Sequence, residues 1–385
     1  MKKIYLDYSA STPVDRDVID AMLPYYRENF GNPSSTHSTG QEAKAVVENS
    51  RNIIASCLGA NPFEIIFTGS GTESNNLAIK GFADANKDKG NHIIISSIEH
   101  YSVLETALFL KSHGYTITIL PVDSMGLIDP DDVKKSITDK TILLSIMHAN
   151  NEIGTIQPTS EISQITKKHE ICFHVDAVQS FGHIPFTVDM LGIDLLSISA
   201  HKLYGPKGSG ALYIRKESVP FLLPLLHGGG QESGMRSSTH NVPGIVGLSK
   251  AAEIAKKKIH LETDHILKLR DKLINRILDT IENTMLNGHP TKRLPGNANI
   301  SFAGIKSDVM LLSLDMKGIA CSSGSACHSS TVEPSHVLQA IRLESDMAES
   351  SIRLSIGRDT TEKEIDYIIE ILKDTSHRLR RMNKS

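Results

Sequence analysis

The 385-residue chain is short of cysteine, of long apolar runs and of net charge, and each shortage excludes a class of protein. Its four cysteines, Cys57, Cys172, Cys321 and Cys327, are too few and too scattered for a disulfide framework. No uninterrupted apolar stretch reaches the roughly 18 residues that a membrane-spanning helix needs. The 41 lysines and arginines nearly balance the 44 aspartates and glutamates, leaving a formal net charge of −3. That balance gives no strong field for nucleic acid or an acidic membrane surface, so neither is expected as a direct partner. The opening MKKIYLDYSASTP has two lysines but no apolar core of a signal peptide behind them, and a cytoplasmic protein is expected.

What is present is an ordinary globular composition, 39% hydrophobic and 22% charged, in a chain long enough for two domains. Between about residues 50 and 215, short β-branched runs (NHIIISS, YTITILPV, TILLSIMH, ICFHVDA, IDLLSIS, GALYIR) alternate with helical patterns (NNLAIKGFADANK, SVLETALFLKSHG, PDDVKKSI, SEISQITKKH). The alternation predicts an α/β fold with a mostly parallel sheet covered on both faces. From about 250 a long charged helical stretch leads to NANISFAG, DVMLLSLDMKG and SIRLSIG, and then to a final helix. This reads as two or three strands with flanking helices in a smaller α+β unit.

In such sheets ligands bind beyond the carboxyl ends of the strands. There the sequence places FTGSGTESNN, whose Ser70 and Glu73 have capping-box spacing and whose Gly71 lets the backbone approach a phosphate at a helix start. Past other strands come His100, Asn150 with Asn151, Asp176 with Gln179, and Ser199 with His201 and Lys202. Any one of these alone is ordinary loop polarity or a structural histidine. Together, a carboxylate, a lysine, amides, an imidazole and a phosphate cup suit a phosphorylated, nitrogen-containing aromatic aldehyde. Lysine forms a Schiff base with the aldehyde, and the carboxylate holds the ring nitrogen protonated. Pyridoxal 5'-phosphate is the cofactor that fits, with Lys202 as its lysine.

The motifs DYSASTP, NPSSTH, GSGTESNN, HANNEIG, HVDAVQS, SAHKLYGPKG, HGGGQESGMRSST, SSGSAC, EPSHVL and SSIRLSIGRDTT occur in that order. Together they resemble the cysteine desulfurases of the NifS/IscS type, within the fold-type I, class V aminotransferase group. The resemblance runs from residue 4 to about 375. It implies a large pyridoxal-phosphate domain over 14–258 with a mostly parallel, seven-stranded-type sheet. It also implies a small domain from 1–13 and 259–385 that carries the catalytic cysteine loop.

The resemblance further implies a role for each matching residue. Lys202 is the Schiff-base lysine, Asp176 the partner of the ring nitrogen and His100 the imidazole stacked on the ring. Asn151 and Gln179 bond the ring hydroxyl, and Asn151 also meets substrate. Gly71, Thr72, Ser199 and His201 hold the phosphate, and Thr239 reaches it from the other subunit of a homodimer. Arg353 takes the carboxylate of L-cysteine, and Cys327 is the nucleophile that becomes a persulfide as alanine is released. The persulfide then passes to an acceptor protein, an iron–sulfur scaffold or a tRNA- or cofactor-thiolation enzyme. No metal site is expected beyond transient ligation of an iron–sulfur cluster by Cys327. The sequence departs from the family pattern at His328 and Ser238, where threonine and glycine are usual, and Cys321 is expected to be a small packed residue. Another enzyme on the same fold, such as a selenocysteine lyase or a kynureninase, does not need the thiol in SSGSACHSS. A non-enzymatic relative would be expected to have lost at least one of Lys202, Asp176, His100 and Cys327.

Overall fold

A computed structural model of the chain describes residues 3–323 and 335–382. Twelve strands are assigned among them: β1 (Ile4–Tyr5), β2 (Ile65–Thr68), β3 (His92–Ser96), β4 (Thr116–Leu120), β5 (Thr141–Met147), β6 (Cys172–Asp176), β7 (Leu195–Ser199), β8 (Gly210–Ile214), β9 (Thr284–Asn287), β10 (Asn297–Phe302), β11 (Ile319–Ala320) and β12 (Ser351–Ser355). Seven of these form one sheet in the order β2-β8-β7-β6-β5-β3-β4. It is parallel throughout except at β8, which runs antiparallel to both of its neighbours. Strands β3, β5, β6, β7 and β8 are buried at nearly every position, as their unbroken apolar runs require when helices cover both faces. The helices that cover it include Ser38–Leu58, Tyr101–Ser112 and Thr159–Lys168. Apolar side chains fill both interfaces, such as Ile54, Leu144, Phe173 and Leu196 in one cluster and Ile93, Val103, Leu143 and Leu212 in the other.

A single helix, Val242–Thr280, runs 39 residues from the large sheet to a second assembly. Its first part is buried through Ile245, Leu248 and Ala252, and its last part through Leu269, Leu273 and Ile277. The latter residues pack with Leu6, Ile300, Phe302, Ile352 and Ile368 in a separate apolar cluster. Here β9, β10 and β12 form an antiparallel sheet in the order β12-β10-β9, and β1 pairs in parallel with β11. The segment DVMLLSLD belongs to the helix Ser307–Asp315 and not to a strand. Met310, Ser313 and Leu314 face inward at helical spacing, while Leu312 is left 64% exposed.

The helix that begins at Gly71 is interrupted. A π-helical turn, Leu77–Gly81, lies between Gly71–Asn76 and Phe82–Ala85. Such turns concentrate beside functional sites. Among the described residues no helix is long and apolar enough to cross a membrane.

Candidate active site

The carboxyl ends of β3, β5, β6 and β7 open into a cavity of about 350 Å³. Its walls include Gly71, Thr72, His100, Asn151, Asp176, Gln179, Ser199, His201, Lys202 and Arg353. Gly71 and Arg353, 282 positions apart in sequence, thus face one cavity, the first from the carboxyl edge of the large sheet and the second from β12 of the small sheet. Thr239 is exposed and does not line this cavity. Cys327 and His328 lie outside the described residues.

Asp176 ends β6, with its carboxylate oxygens accepting from the backbone N–H of Val178 at 2.9 Å and from Asn75 Nδ2 at 2.7 Å. The second hydrogen of the Asn75 amide goes to Ser102 Oγ at 2.8 Å. Ser102 in turn meets His100 twice at Nδ1, through its backbone N–H at 3.1 Å and its hydroxyl at 2.8 Å. Because the backbone N–H only donates, Nδ1 of His100 is an acceptor and the ring proton sits on Nε2. Burial lowers the pKa of His100, and Lys202 and His336 push in the same direction against the opposing pull of Asp176. The carboxylate and the imidazole therefore belong to one hydrogen-bonded chain, Asp176–Asn75–Ser102–His100. Neither Asn75, inside GSGTESNN, nor Ser102, at the start of the helical run SVLETALFLKSHG, carries a signal in the sequence that marks it as a site residue.

Lys202 follows β7 on a single 3₁₀ turn, Ala200–Lys202. Its Nζ donates to the carbonyls of Ser9 at 2.6 Å and Ala10 at 2.9 Å, and Gln179 Nε2 donates to the same Ser9 carbonyl at 3.0 Å. The N-terminal DYSAS segment is thus the wall against which the lysine rests. His183 contacts the Lys202 carbonyl at 2.7 Å from behind. The neighbouring His201 is pushed down to about 4 by burial and by the positive charges of Lys202 and Lys207, so its imidazole is neutral at pH 7.

The phosphate-cup turn departs slightly from the expected capping box. Ser70 Oγ accepts from the Glu73 N–H at 3.1 Å, as expected. The Glu73 carboxylate, however, takes the N–H of Gly69 at 2.7 Å and is held from outside by Arg236. Gly71 is required by close approach, because a Cβ there would lie 2.6 Å from Val178 Cγ2 and 3.3 Å from Ser199 Cβ.

At the opposite wall Arg353, on β12, is 2% exposed. Its Nη2 pairs with Asp7 at 2.8 Å and its Nη1 donates to the Asn151 carbonyl at 3.1 Å, which fixes the plane of the fork. Asn150, by contrast, is a structural residue. Its amide bonds the Ile98 carbonyl at 2.9 Å, and its oxygen accepts from the N–H groups of Glu152 and Ile153 at 2.8 and 2.9 Å. Glu152 is buried beside Arg353 and accepts from Ser335 Oγ at 2.5 Å. Beneath the site, burial raises Glu99 to about 8 despite hydrogen bonds from Ser96 Oγ at 2.5 Å and Met147 N–H at 3.0 Å. The thiol of Cys321 is half-buried and pushed up to about 12, chiefly by burial, so it stays protonated.

A model of the aminotransferase class-V family matches residues 4–368, nearly the whole chain. The chain belongs to that family. It is 51% identical over 379 residues to the cysteine desulfurase IscS of Dictyoglomus turgidum, covering 98% of this chain and 96% of that one. Its identity to the cysteine desulfurase IscS of Methanosarcina thermophila is 52% over 382 residues, covering 99% and 94%. Among solved structures, a NifS-like protein superimposes with a TM-score of 0.91 at 40% identity, covering 98% of this chain and 99% of that one. The protein described as SspA in complex with cysteine gives a TM-score of 0.83 at 39% identity, covering 94% and 100%. The class-V matches agree with the seven-stranded, mostly parallel sheet that positions the cavity.

Proposed function

We propose that this protein is a pyridoxal-phosphate-dependent cysteine desulfurase working as a homodimer. L-cysteine and the thiol of Cys327 give L-alanine and a Cys327 persulfide: the cysteine C–S bond breaks, an S–S bond to Cys327 forms, and a proton replaces sulfur on the carbon that becomes the alanine methyl. The observation that supports it most is the meeting of Lys202, Asp176, His100 and Arg353 in one cavity of about 350 Å³. An amine, a carboxylate, an imidazole and a guanidinium are the groups needed for an aldehyde, a ring nitrogen, a ring face and a substrate carboxylate.

The residues fit the cofactor. When bound, pyridoxal phosphate supplies an electron sink that permits bond breaking next to the substrate amino group. Lys202 is the amine that anchors it and, once released, carries the substrate α-proton. Asp176, with two N–H donors fixing its orientation, would hold the ring nitrogen. His100, its Nδ1 held by Ser102, would pack on the ring. Gln179 and Asn151 would bond the ring hydroxyl, while Gly71, Thr72, Ser199 and His201 would hold the phosphate. His201 serves as a neutral donor or acceptor. Arg353, pre-oriented by Asp7 and the Asn151 carbonyl, receives the carboxylate of cysteine.

Thr239 serves the phosphate of the partner's site, in keeping with its exposure and with the lining of its own chain's cavity, which does not include it. We read the large domain as 14–258 and the small one as 1–13 with 259–385. The persulfide is handed on to an acceptor protein, an iron–sulfur scaffold or a thiolation enzyme. The test is to supply L-cysteine and a thiol reductant and to measure products. Equal amounts of alanine and sulfide support the reading, and cysteine consumption that yields pyruvate or no alanine overturns it.

A further inference from the structure

An arginine–carboxylate ion pair and a histidine–carboxylate hydrogen bond bracket Thr239. Three residues before it, Arg236 grips Glu73 with two donors, Nε to Oε1 at 2.6 Å and Nη2 to Oε2 at 3.2 Å. One residue after it, His240 Nε2 lies 2.6 Å from Oε1 of Glu232. Glu232 is buried and is itself fixed by Arg51 at 2.8 and 2.9 Å and by the Phe67 N–H at 2.9 Å. Glu232 and Ser233 both hold left-handed backbone, with φ of 51° and 56°, a conformation that persists only where surrounding contacts impose it.

Two of the partners, Phe67 and Glu73, lie on the strand–turn–helix unit that carries the phosphate cup of the same chain, while Arg51 reaches Glu232 from the helix Ser38–Leu58. Phe67 is in β2, just before the cup. Glu73 is in the first turn after it and also binds the Gly69 N–H at 2.7 Å. Arg236 lies over that turn, its Nη2 3.6 Å from where a Cβ on Gly69 would stand. The exposed Thr239 and the turn at Gly69, Gly71 and Thr72 are therefore one braced unit.

We propose that Arg236 is a positioning residue for two cofactor sites at once. Through Glu73 it braces the phosphate cup of its own chain. Through three residues of pinned backbone it sets Thr239 for the cup of the partner chain. This rests on the reading of Thr239 as a donor across the dimer. The two sites of a dimer are then mechanically linked, because each Glu73–Arg236 pair touches both.

The test uses mixed holo-dimers of one wild-type chain and one mass-tagged variant chain, with subunit exchange verified by native mass spectrometry. Free pyridoxal phosphate is trapped, and at intervals borohydride locks the cofactor that remains onto Lys202 of the chain holding it. Intact masses then count cofactor on each chain separately. Arg236→Ala is expected to speed cofactor loss from both chains by about fivefold, the effect of losing one charge-assisted contact that is partly exposed. Thr239→Ala is expected to speed loss from the wild-type chain only. Arg236→Lys keeps the charge without the fork and should give the same two-chain pattern at smaller size, which serves if the alanine variant does not fold. With the Thr239 pattern intact, loss from one chain or neither on changing Arg236 overturns the proposal, since a purely structural defect stays in its own chain. If Thr239→Ala instead loosens its own chain, the shared-site reading fails and the two-site role of Arg236 falls with it.

Discussion

Asn75 Nδ2 reaches Asp176 across 2.7 Å, joining the first turns of the cup helix to the carboxylate that ends β6. The same amide holds Ser102 and through it His100, so one side chain orients both the carboxylate and the imidazole proposed to hold the cofactor ring. Asn75→Ala should leave the fold intact and weaken cofactor binding by roughly tenfold, the effect of losing about 1.4 kcal/mol of hydrogen bonding to a charged group. Equilibrium dialysis with pyridoxal phosphate measures this directly. Unchanged affinity would mean that Asp176 does not depend on Asn75 for its orientation.

Lys202→Ala should abolish alanine production and remove any borohydride-stable link to the cofactor, because one amine is proposed to serve as both anchor and proton carrier. Alanine formation within a few-fold of wild type would refute that double role.

Cys321 and Cys327 should behave in opposite ways. Cys321 is half-buried and its thiol is pushed up to about 12, so Cys321→Ser should retain most of the activity. Cys327→Ser should bind cysteine and cofactor yet release no sulfide. If the Cys321 variant is the inactive one, the nucleophile has been assigned to the wrong cysteine.

Glu99 lies wholly buried beneath the site and titrates at about 8, well above the ordinary carboxyl value, with burial as the main cause. In the folded protein it is protonated at pH 6, whereas in the unfolded chain it is ionised above about 4.5. The folded state therefore binds the extra proton. Its contribution to stability is complete below about pH 4.5 and is lost as pH rises through about 8. Glu99→Gln keeps the acceptor for Ser96 and Met147 without the titration. The variant should gain melting temperature relative to wild type on going from pH 5 to pH 8. A difference independent of pH would show that Glu99 does not titrate in this window.

Much of the site was legible in the sequence because a parallel sheet has one chemical edge. Once β3, β5, β6 and β7 were recognised as strands, His100, Asn151, Asp176 and Ser199 had to fall near one another. The partners between those residues were not legible. Asn75 and Asp176 stand 101 residues apart, Lys202 and Ser9 193, and Arg236 and Glu73 163, and no local spacing encodes such pairs. The capping-box signal at Ser70 and Glu73 was right about the helix start. It could not show that the Glu73 carboxylate turns to Gly69 once Arg236 arrives from elsewhere. The run DVMLLSLD is ambiguous in period, and only the pattern of Met310, Ser313 and Leu314 against the small apolar cluster settles it as a helix. Asn150 and Asn151 looked alike in sequence. The chain turn after β5 buries the first as a structural amide and leaves the second at the cavity wall.

The central claim is that sulfur leaves cysteine and lands on Cys327. The most direct measurement is mass spectrometry of the peptide containing Cys327 after brief exposure of the holoprotein to ³⁴S-labelled L-cysteine without reductant, with thiols then capped. One added labelled sulfur is expected on Cys327, formed together with one alanine, and none in Lys202→Ala protein. Alanine released with no labelled sulfur on Cys327, or with the label on Cys321, Cys57 or Cys172, would contradict it.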